Sequence, residues 1–423
     1  MRKILFLLIA MTGFFTASAQ NLSKIKTMIE EKKYIDANTA LDEVLKVPKS
    51  QKSHEVHYLK SKVLSAIAAD PELRKKMPGT RMKALDAFKK ALELDKNETM
   101  MLMNIDKYEP VVSLYTLGFE EGADHYNNAR YEESYNTFKE AGTAGEYIFS
   151  QGWGLYKLDT TLTLYLGLSA LNAKKEDEAI VFFTKIADEN IGGTPDRATP
   201  YRFLAKYYYD KKDEAKMKKY MDAGLKLYPQ DDYLPQLMIE SVRDKNDMAL
   251  LFKTYEELLV INPESFDVIF DYASDLFGET HVSESSKKAA NYQEQCAKIE
   301  GLYEKALSLK PDSYITMLSL GKHFYNQMLF VEEDLYKIKG QGPEQTKKRA
   351  DISAVIDGLG NKAIPRLEAV FNYYDKLGKL KVNDKSNFKS SCSLLTYCYN
   401  MKKDKAKADF YQKKYDEADK AHE

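Results

Sequence analysis

Three cysteines in 423 residues, Cys296, Cys392 and Cys398, are too few and too odd in number to build a disulfide framework. Cys392 and Cys398 lie six residues apart in one helical stretch, which places their Cα atoms about 9 Å apart along the axis, beyond the roughly 7 Å that a disulfide spans. The thiols are expected to be buried and inert, with a bridge from Cys296 to either of the others left open. Twelve prolines and twenty glycines are few for this length, so long stretches are free to be helical. Neither sign of charge dominates: 63 Lys and Arg stand against 64 Asp and Glu, a formal net charge of −1. That excludes the one-signed field that draws a chain onto nucleic acid or anionic lipid. Beyond the first fifteen residues no apolar run approaches the about 20 residues needed to cross a bilayer. Tryptophan occurs once, at Trp153.

The patterns of catalysis are missing too. There is no Gly-x-Ser-x-Gly elbow and no cysteine with a histidine companion at a familiar spacing. Gly192-Gly193 and Gly358-Leu359-Gly360 lack the lysine and the strand–helix context of a phosphate loop and read as turns. His54 and His57 are three apart on one predicted helix, but no third ligand accompanies them. His125, His281, His323 and His422 have no partner at ligand spacing. No catalytic residue, cofactor or metal is therefore expected.

What is present begins at the N-terminus. Arg2 and Lys3 precede an apolar run from Ile4 to Phe15, followed by Ala17-Ser18-Ala19, the three parts of a secretory signal peptide. Residues 1–19 are expected to be removed on export, leaving the mature chain in the periplasm or cell envelope of a Gram-negative bacterium, or secreted. Tyrosine is abundant, at 30 residues, which suits packed helices whose rings are buried while their hydroxyls reach water.

The organising feature is a repeat. Pro229, Pro263 and Pro311 each close a helix-periodic phrase, 34 and then 48 residues apart, the second spacing carrying a 14-residue insertion. Reading back from these ends exposes one register. Gly122 is followed at +12, +16 and +19 by Ser134, Phe138 and Ala141; Gly167 by Ala179, Phe183 and Ile186; Ala205 by Met217, Met221 and Gly224; Ile239 by Leu251, Tyr255 and Leu258. Small groups let two helices cross closely, and the residue four further on fills the space beside the crossing. Lys33–Ala37 with Leu41 and Val44, and Ala84, Phe88 and Ala91, extend the pattern towards the N-terminus; Ser390–Asn400 and Asp404–Ala418 make a last pair.

Leu166-Gly167, Gly122–Tyr126, Arg130–Ser134 and the Ala306 to Pro311 ending resemble the tetratricopeptide repeat. The family's tryptophan is absent from every unit, and three units lack the closing proline. The layout also resembles exported tetratricopeptide-repeat proteins of the Bacteroidota, in the Tyr156–Thr161 entry to a repeat and a late unit with a long insertion. The resemblance implies an all-α, right-handed superhelical solenoid of about nine antiparallel helix pairs. Its parts are degenerate pairs over 20–110, a central array over 111–330, and pairs with a long helical insertion over 331–423. It implies a non-catalytic scaffold that holds a protein or peptide partner, with no nucleic acid.

The concave face of such an array is lined by the first helix of each pair. That assigns partner-binding roles to Phe119 and Tyr126 (with Ala123), to Leu164 and Leu168 (with Leu171), and to Lys322 and Tyr325 (with Leu318). The face lacks the Lys/Asn array that clamps a C-terminal carboxylate in some relatives, so an apolar or helical segment is the expected ligand. A second surface is the Gly-rich 142–158 segment with Tyr147, Phe149, Trp153 and Tyr156. Its rings either form a contact platform, which in a carbohydrate-binding protein would take a sugar, or fold back to plug the gap between repeats. The plug is the preferred reading.

Overall fold

The computed structural model describes residues 21–154, 159–281 and 290–421, so the predicted signal segment, Tyr156 and His422 lie outside the described residues. All regular structure among the described residues is helical. The helices are α1 (21–30), α2 (Tyr34–Leu45), α3 (His54–Ala69), α4 (Pro71–Lys76), α5 (Thr80–Leu94), α6 (Lys96–Ile105), α7 (Glu109–Asn127), α8 (Tyr131–Ser150), α9 (Thr160–Asn172) and α10 (Glu176–Asp188). They continue as α11 (Thr199–Asp210), α12 (Glu214–Leu227), α13 (Tyr233–Arg243), α14 (Met248–Ile261) and α15 (Phe266–His281). The last are α16 (Tyr292–Leu309), α17 (Tyr314–Lys337), α18 (Pro343–Asp375), α19 (Val382–Met401) and α20 (Lys405–Ala421). The chain divides into two compact units, residues 1–204 and 205–423.

Local chemistry sets the ends of these helices. Asp159, Asp213, Asp247 and Asp404 each accept a hydrogen bond from a backbone N–H three residues on, which satisfies one of the orphan donors of a helix start. At the other end, α12, α14 and α16 stop two residues before Pro229, Pro263 and Pro311, because the residue preceding a proline is driven out of helical backbone.

In the first unit the expected register is the core. Ser134, Phe138, Ala141, Ala179, Phe183 and Ile186 are fully buried. The contact at the crossing is close enough to require glycine: a Cβ on Gly122 would stand 2.7 Å from the Phe138 ring, and one on Gly167 would stand 2.4 Å from Phe183. Ile25, Ala37 and Leu41 repeat the same offsets in the α1–α2 pair and are buried.

The second unit keeps the register through Ala205 with Met217 and Met221, and through Ile239 with Leu251, Tyr255 and Leu258, all buried. Its later pairs keep it across insertions. Ala273 is followed by Ile299, Tyr303 and Ala306, the usual offsets lengthened by 14 residues, and all four are buried. Gly321 is followed by Ala363, Leu367 and Val370, lengthened by 30. A Cβ on Gly321 would stand 2.4 Å from Leu367.

A turn geometry recurs that the sequence does not announce. Ala129, Lys174, Lys212 and Asn246, seven residues after the anchors Gly122, Gly167, Ala205 and Ile239, all have positive φ of 52–61°. Lys32 and Lys403 hold the same conformation in the first and last pairs. The following N–H reaches back five residues, from Arg130 to His125 O, Lys175 to Ala170 O and Asp213 to Tyr208 O, each at 2.8–2.9 Å. This is the Schellman ending, which ties off the last carbonyls of one helix and reverses the chain into the next. Nine antiparallel pairs can be traced among the described residues, and six of them turn on such a positive-φ residue. Within each unit helices pack chiefly on their chain neighbours, the one-dimensional stacking of a tetratricopeptide-like solenoid.

Candidate functional site

The residues assigned to a concave face separate into two groups. Phe119 and Tyr126 are half-buried in a ring cluster: Phe119 meets Phe138 at 5.5 Å and Tyr165 at 6.2 Å, and Tyr126 meets Tyr131 and Tyr165 at 5.5 Å. Phe119 also borders a shallow hollow of about 500 Å³ with Tyr115, Glu120 and Asp159. Leu164 and Leu318 are buried, at 2% and 1% exposure, and are core rather than groove. Leu164 lies three positions before Gly167 on the face that meets the neighbouring helices, so its side chain is spent on packing. Leu168 is half-buried.

Trp153 takes the plug position. Its ring packs edge-on against Phe88 at 5.9 Å and against Tyr108 and Tyr147 at 6.2 Å, within a core cluster that holds Tyr58, Phe88, Met103 and Val111.

Lys322 and Tyr325 come together with residues that the sequence did not connect to them. They line a cleft of about 1010 Å³ in the second unit, completed by the 379–382 turn, one face of α19 and Tyr415 of α20. Lys385, Ser386, Lys389, Ser390, Ser393 and Leu394 recur at helical spacing along that face. Four lysines, Lys322, Lys379, Lys385 and Lys389, therefore surround one space, and no carboxylate is among its lining residues. Lys389 pairs with Asp419 at 2.8 Å and covers the Tyr415 ring. Among the described residues Lys322, Lys379 and Lys385 form no ion pair. Burial pushes the Lys322 ammonium below its usual range, because partial desolvation disfavours the charged form. Lys379 precedes α19, and Lys385 and Lys389 lie on it; α19 is the first helix of the last pair, a stretch that the concave-face reading did not include.

A second cluster lies on the other side of the same helix. His323, next to Lys322 on α17, is fully buried. Its Nδ1 is 2.9 Å from Nε2 of His281, the last residue of α15, and its Nε2 is 2.8 Å from the Gln327 amide. The Cys296 thiol of α16 completes the group, with all three donor atoms within 4.8 Å of one another. Burial depresses the His281 imidazole to about 4 and the His323 imidazole to about 3, and pushes the Cys296 thiol up to about 11. From spacing alone His281 and His323 had no companion; three helices bring them together. Among the described residues no third ligand joins His54 and His57, and the His57 ring meets the Gln51 carbonyl at 3.0 Å. Cys392 and Cys398 are buried free thiols, as is Cys296.

No protein-family model matches the chain, and no curated protein matches it. Among solved structures it is similar to the C-terminal part of a TPR repeat-containing protein from Cytophaga hutchinsonii, at 15% identity over 70% of this chain and 93% of that one, TM-score 0.43. It is also similar to a monomeric IFIT1 mutant with Gppp-AAAA, at 17% identity over 90% of this chain and 73% of that one, TM-score 0.29. The P58(IPK) TPR domain follows at 13% identity over 90% and 98%, TM-score 0.22. These likenesses stop at helical-repeat packing, and nothing about ligands or partners passes from them to this chain.

Proposed function

We propose that the chain is a non-catalytic scaffold that holds an acidic, partly apolar segment of a protein partner in the cleft between α17 and α19. The observation that carries this reading is the set of four lysines around one open space without a lining carboxylate. Asp419 counters Lys389, but Lys322, Lys379 and Lys385 have no ion-pair partner among the described residues, and an incoming carboxylate relieves their mutual repulsion while forming charge-assisted hydrogen bonds. Tyr325, Leu380, Val382 and Leu394 supply apolar surface beside the lysines, so an aliphatic or aromatic residue next to the acid is favoured. The serines of α19 offer hydroxyls to the partner's backbone. Export belongs to the same proposal, supported by the basic start, apolar run and Ala-x-Ala exit of residues 1–19.

The test is fluorescence anisotropy with labelled peptides carrying Glu or Asp beside Leu or Phe, against matched peptides with Gln and Asn. The acidic set should bind more tightly, weaken with added salt, and lose about tenfold or more in affinity with Lys379→Glu/Lys385→Glu. Equal binding of acidic and neutral peptides, or binding indifferent to the charge reversal, overturns the reading.

A further inference from the structure

We propose that His281, Cys296 and His323 form a buried three-coordinate site for one monovalent copper ion. The cluster lies on the face of α17 away from the lysine cleft and stands independently of it.

The arrangement is that of a ligand set rather than of ordinary core packing. Three side chains of the types that bind borderline and soft metals arrive from three helices, and their donor atoms converge within 4.8 Å. In an empty site the two imidazole nitrogens face each other across 2.9 Å with one proton between them. Bond lengths of about 2.0 Å to nitrogen and 2.3 Å to sulfur place the donors of one ion roughly 3.3–3.8 Å apart. Filling the site parts the two nitrogens by about 0.5 Å and draws the widest donor separation in by about 1 Å, and the proton between the rings moves to Nε2 of His323, so that both imidazoles stay neutral.

The partners beyond the ligands are suitable as well. A histidine bound through one nitrogen donates its other N–H to an acceptor. His323 has Gln327 at its free nitrogen, 2.8 Å away, and His281 has the Tyr292 hydroxyl 3.5 Å from Nδ1. With the ion bound, the Gln327 amide turns to present its oxygen.

Charge selects the ion. The charged groups acting on the cluster are Lys362 on His323 and Glu300 on Cys296, and these two are paired with each other at 2.6 Å. The pocket thus carries no net charge of its own, and Phe277 packs on His281 at 4.9 Å between ring centroids. A monovalent ion bound by one thiolate and two neutral imidazoles leaves the pocket neutral, with one proton released from the thiol. A divalent ion would leave a buried positive charge and would need a fourth ligand. Thiolate and imidazole together suit copper(I), and trigonal coordination by two histidines and a cysteine is an accepted geometry for copper.

The test is anaerobic titration of the reduced full-length chain with copper(I) against a chromogenic copper(I) chelator, and with Zn²⁺ against a zinc indicator. One copper(I) per chain should bind in competition with the chelator. Affinity should fall by more than about 100-fold in Cys296→Ser and in His281→Gln, since losing a ligand outweighs the roughly 10–100-fold cost of disturbing the groups that orient one. X-ray absorption of the copper-loaded wild-type chain should show one sulfur and two imidazole nitrogens, a measurement that needs no variant to fold. No competition with the chelator, preference for Zn²⁺, two sulfurs at the metal, or unchanged binding in Cys296→Ser overturns the proposal.

Discussion

Gly167 lies so close to Phe183 that a Cβ at position 167 would stand 2.4 Å from the phenyl Cε1. The same relation joins Gly122 to Phe138 and Gly321 to Leu367. Gly167→Ala and Gly122→Ala are therefore expected to destabilise the first unit by about 1–3 kcal/mol each through overpacking. Gly301, in α16, is the control, because a Cβ added there would meet nothing within 4 Å. Gly301→Ala should raise stability by about 0.5–1 kcal/mol through helix propensity. Urea unfolding followed by circular dichroism separates the two signs.

The left-handed turns make an opposite prediction about glycine. A non-glycine residue with positive φ costs about 1–2 kcal/mol, and Lys174 and Lys212 sit at φ 61° and 59°. Lys174→Gly and Lys212→Gly should each shift the urea midpoint upward. Lys174→Val should lower it by more, because a β-branched side chain tolerates this region least.

Trp153→Ala should lower the stability of the first unit by about 3 kcal/mol, the lower end of the cost of removing a large aromatic from a core. A ring that only formed an exposed platform would change stability by less than about 0.5 kcal/mol. Thermal unfolding and glycan calorimetry on the same variant report the packing role and the sugar-binding role separately.

Arg81 is buried between Glu121, at 2.7 Å, and Glu140, at 3.0 Å, and Arg74 also pairs with Glu121. Arg81→Ala removes one member of a largely desolvated network and should cost about 3–5 kcal/mol. Replacing the three central charges together with apolar residues of similar volume should recover much of that loss.

Several tyrosines donate to carboxylates inside the packing: Tyr58 to Asp106, Tyr255 to Asp275 and Tyr397 to Glu332. Burial first, and these acceptors second, raise all three phenols above the ordinary value of 10. The folded chain then keeps protons that the unfolded chain gives up above pH 10. Stability is full below that pH and declines as pH rises beyond it. Denaturation midpoints between pH 8 and 11, with phenolate absorbance, should show these phenols ionising only as the fold is lost.

The helix-pair register was legible because a close crossing admits few residue types, so the offsets at Gly122, Gly167, Ala205 and Ile239 survive in the letters. The turn seven residues later was not, because Ala129, Lys174, Lys212 and Asn246 share a backbone conformation without sharing a side chain. Leu164 shows a different limit. A helix packed on both flanks buries leucines that period alone would allow to face outward. The lysine cleft and the His–Cys cluster were illegible for a common reason: their members are up to 93 and 42 residues apart. Insertions between them hide the register, and no spacing rule spans such gaps.

The pair formed by α15 and α16 carries a further meaning. Five earlier pairs reverse direction at the seventh residue after their anchor, whereas α15 runs on through that position, Thr280, and ends at His281. His281 sits on a helical turn added beyond the usual turn position, whereas Cys296 holds the register position at which α8, α10, α12 and α14 begin. Mutation on that added turn escapes the steric veto that governs the crossings, so it is where such an array is free to acquire new chemistry while its stacking stays fixed.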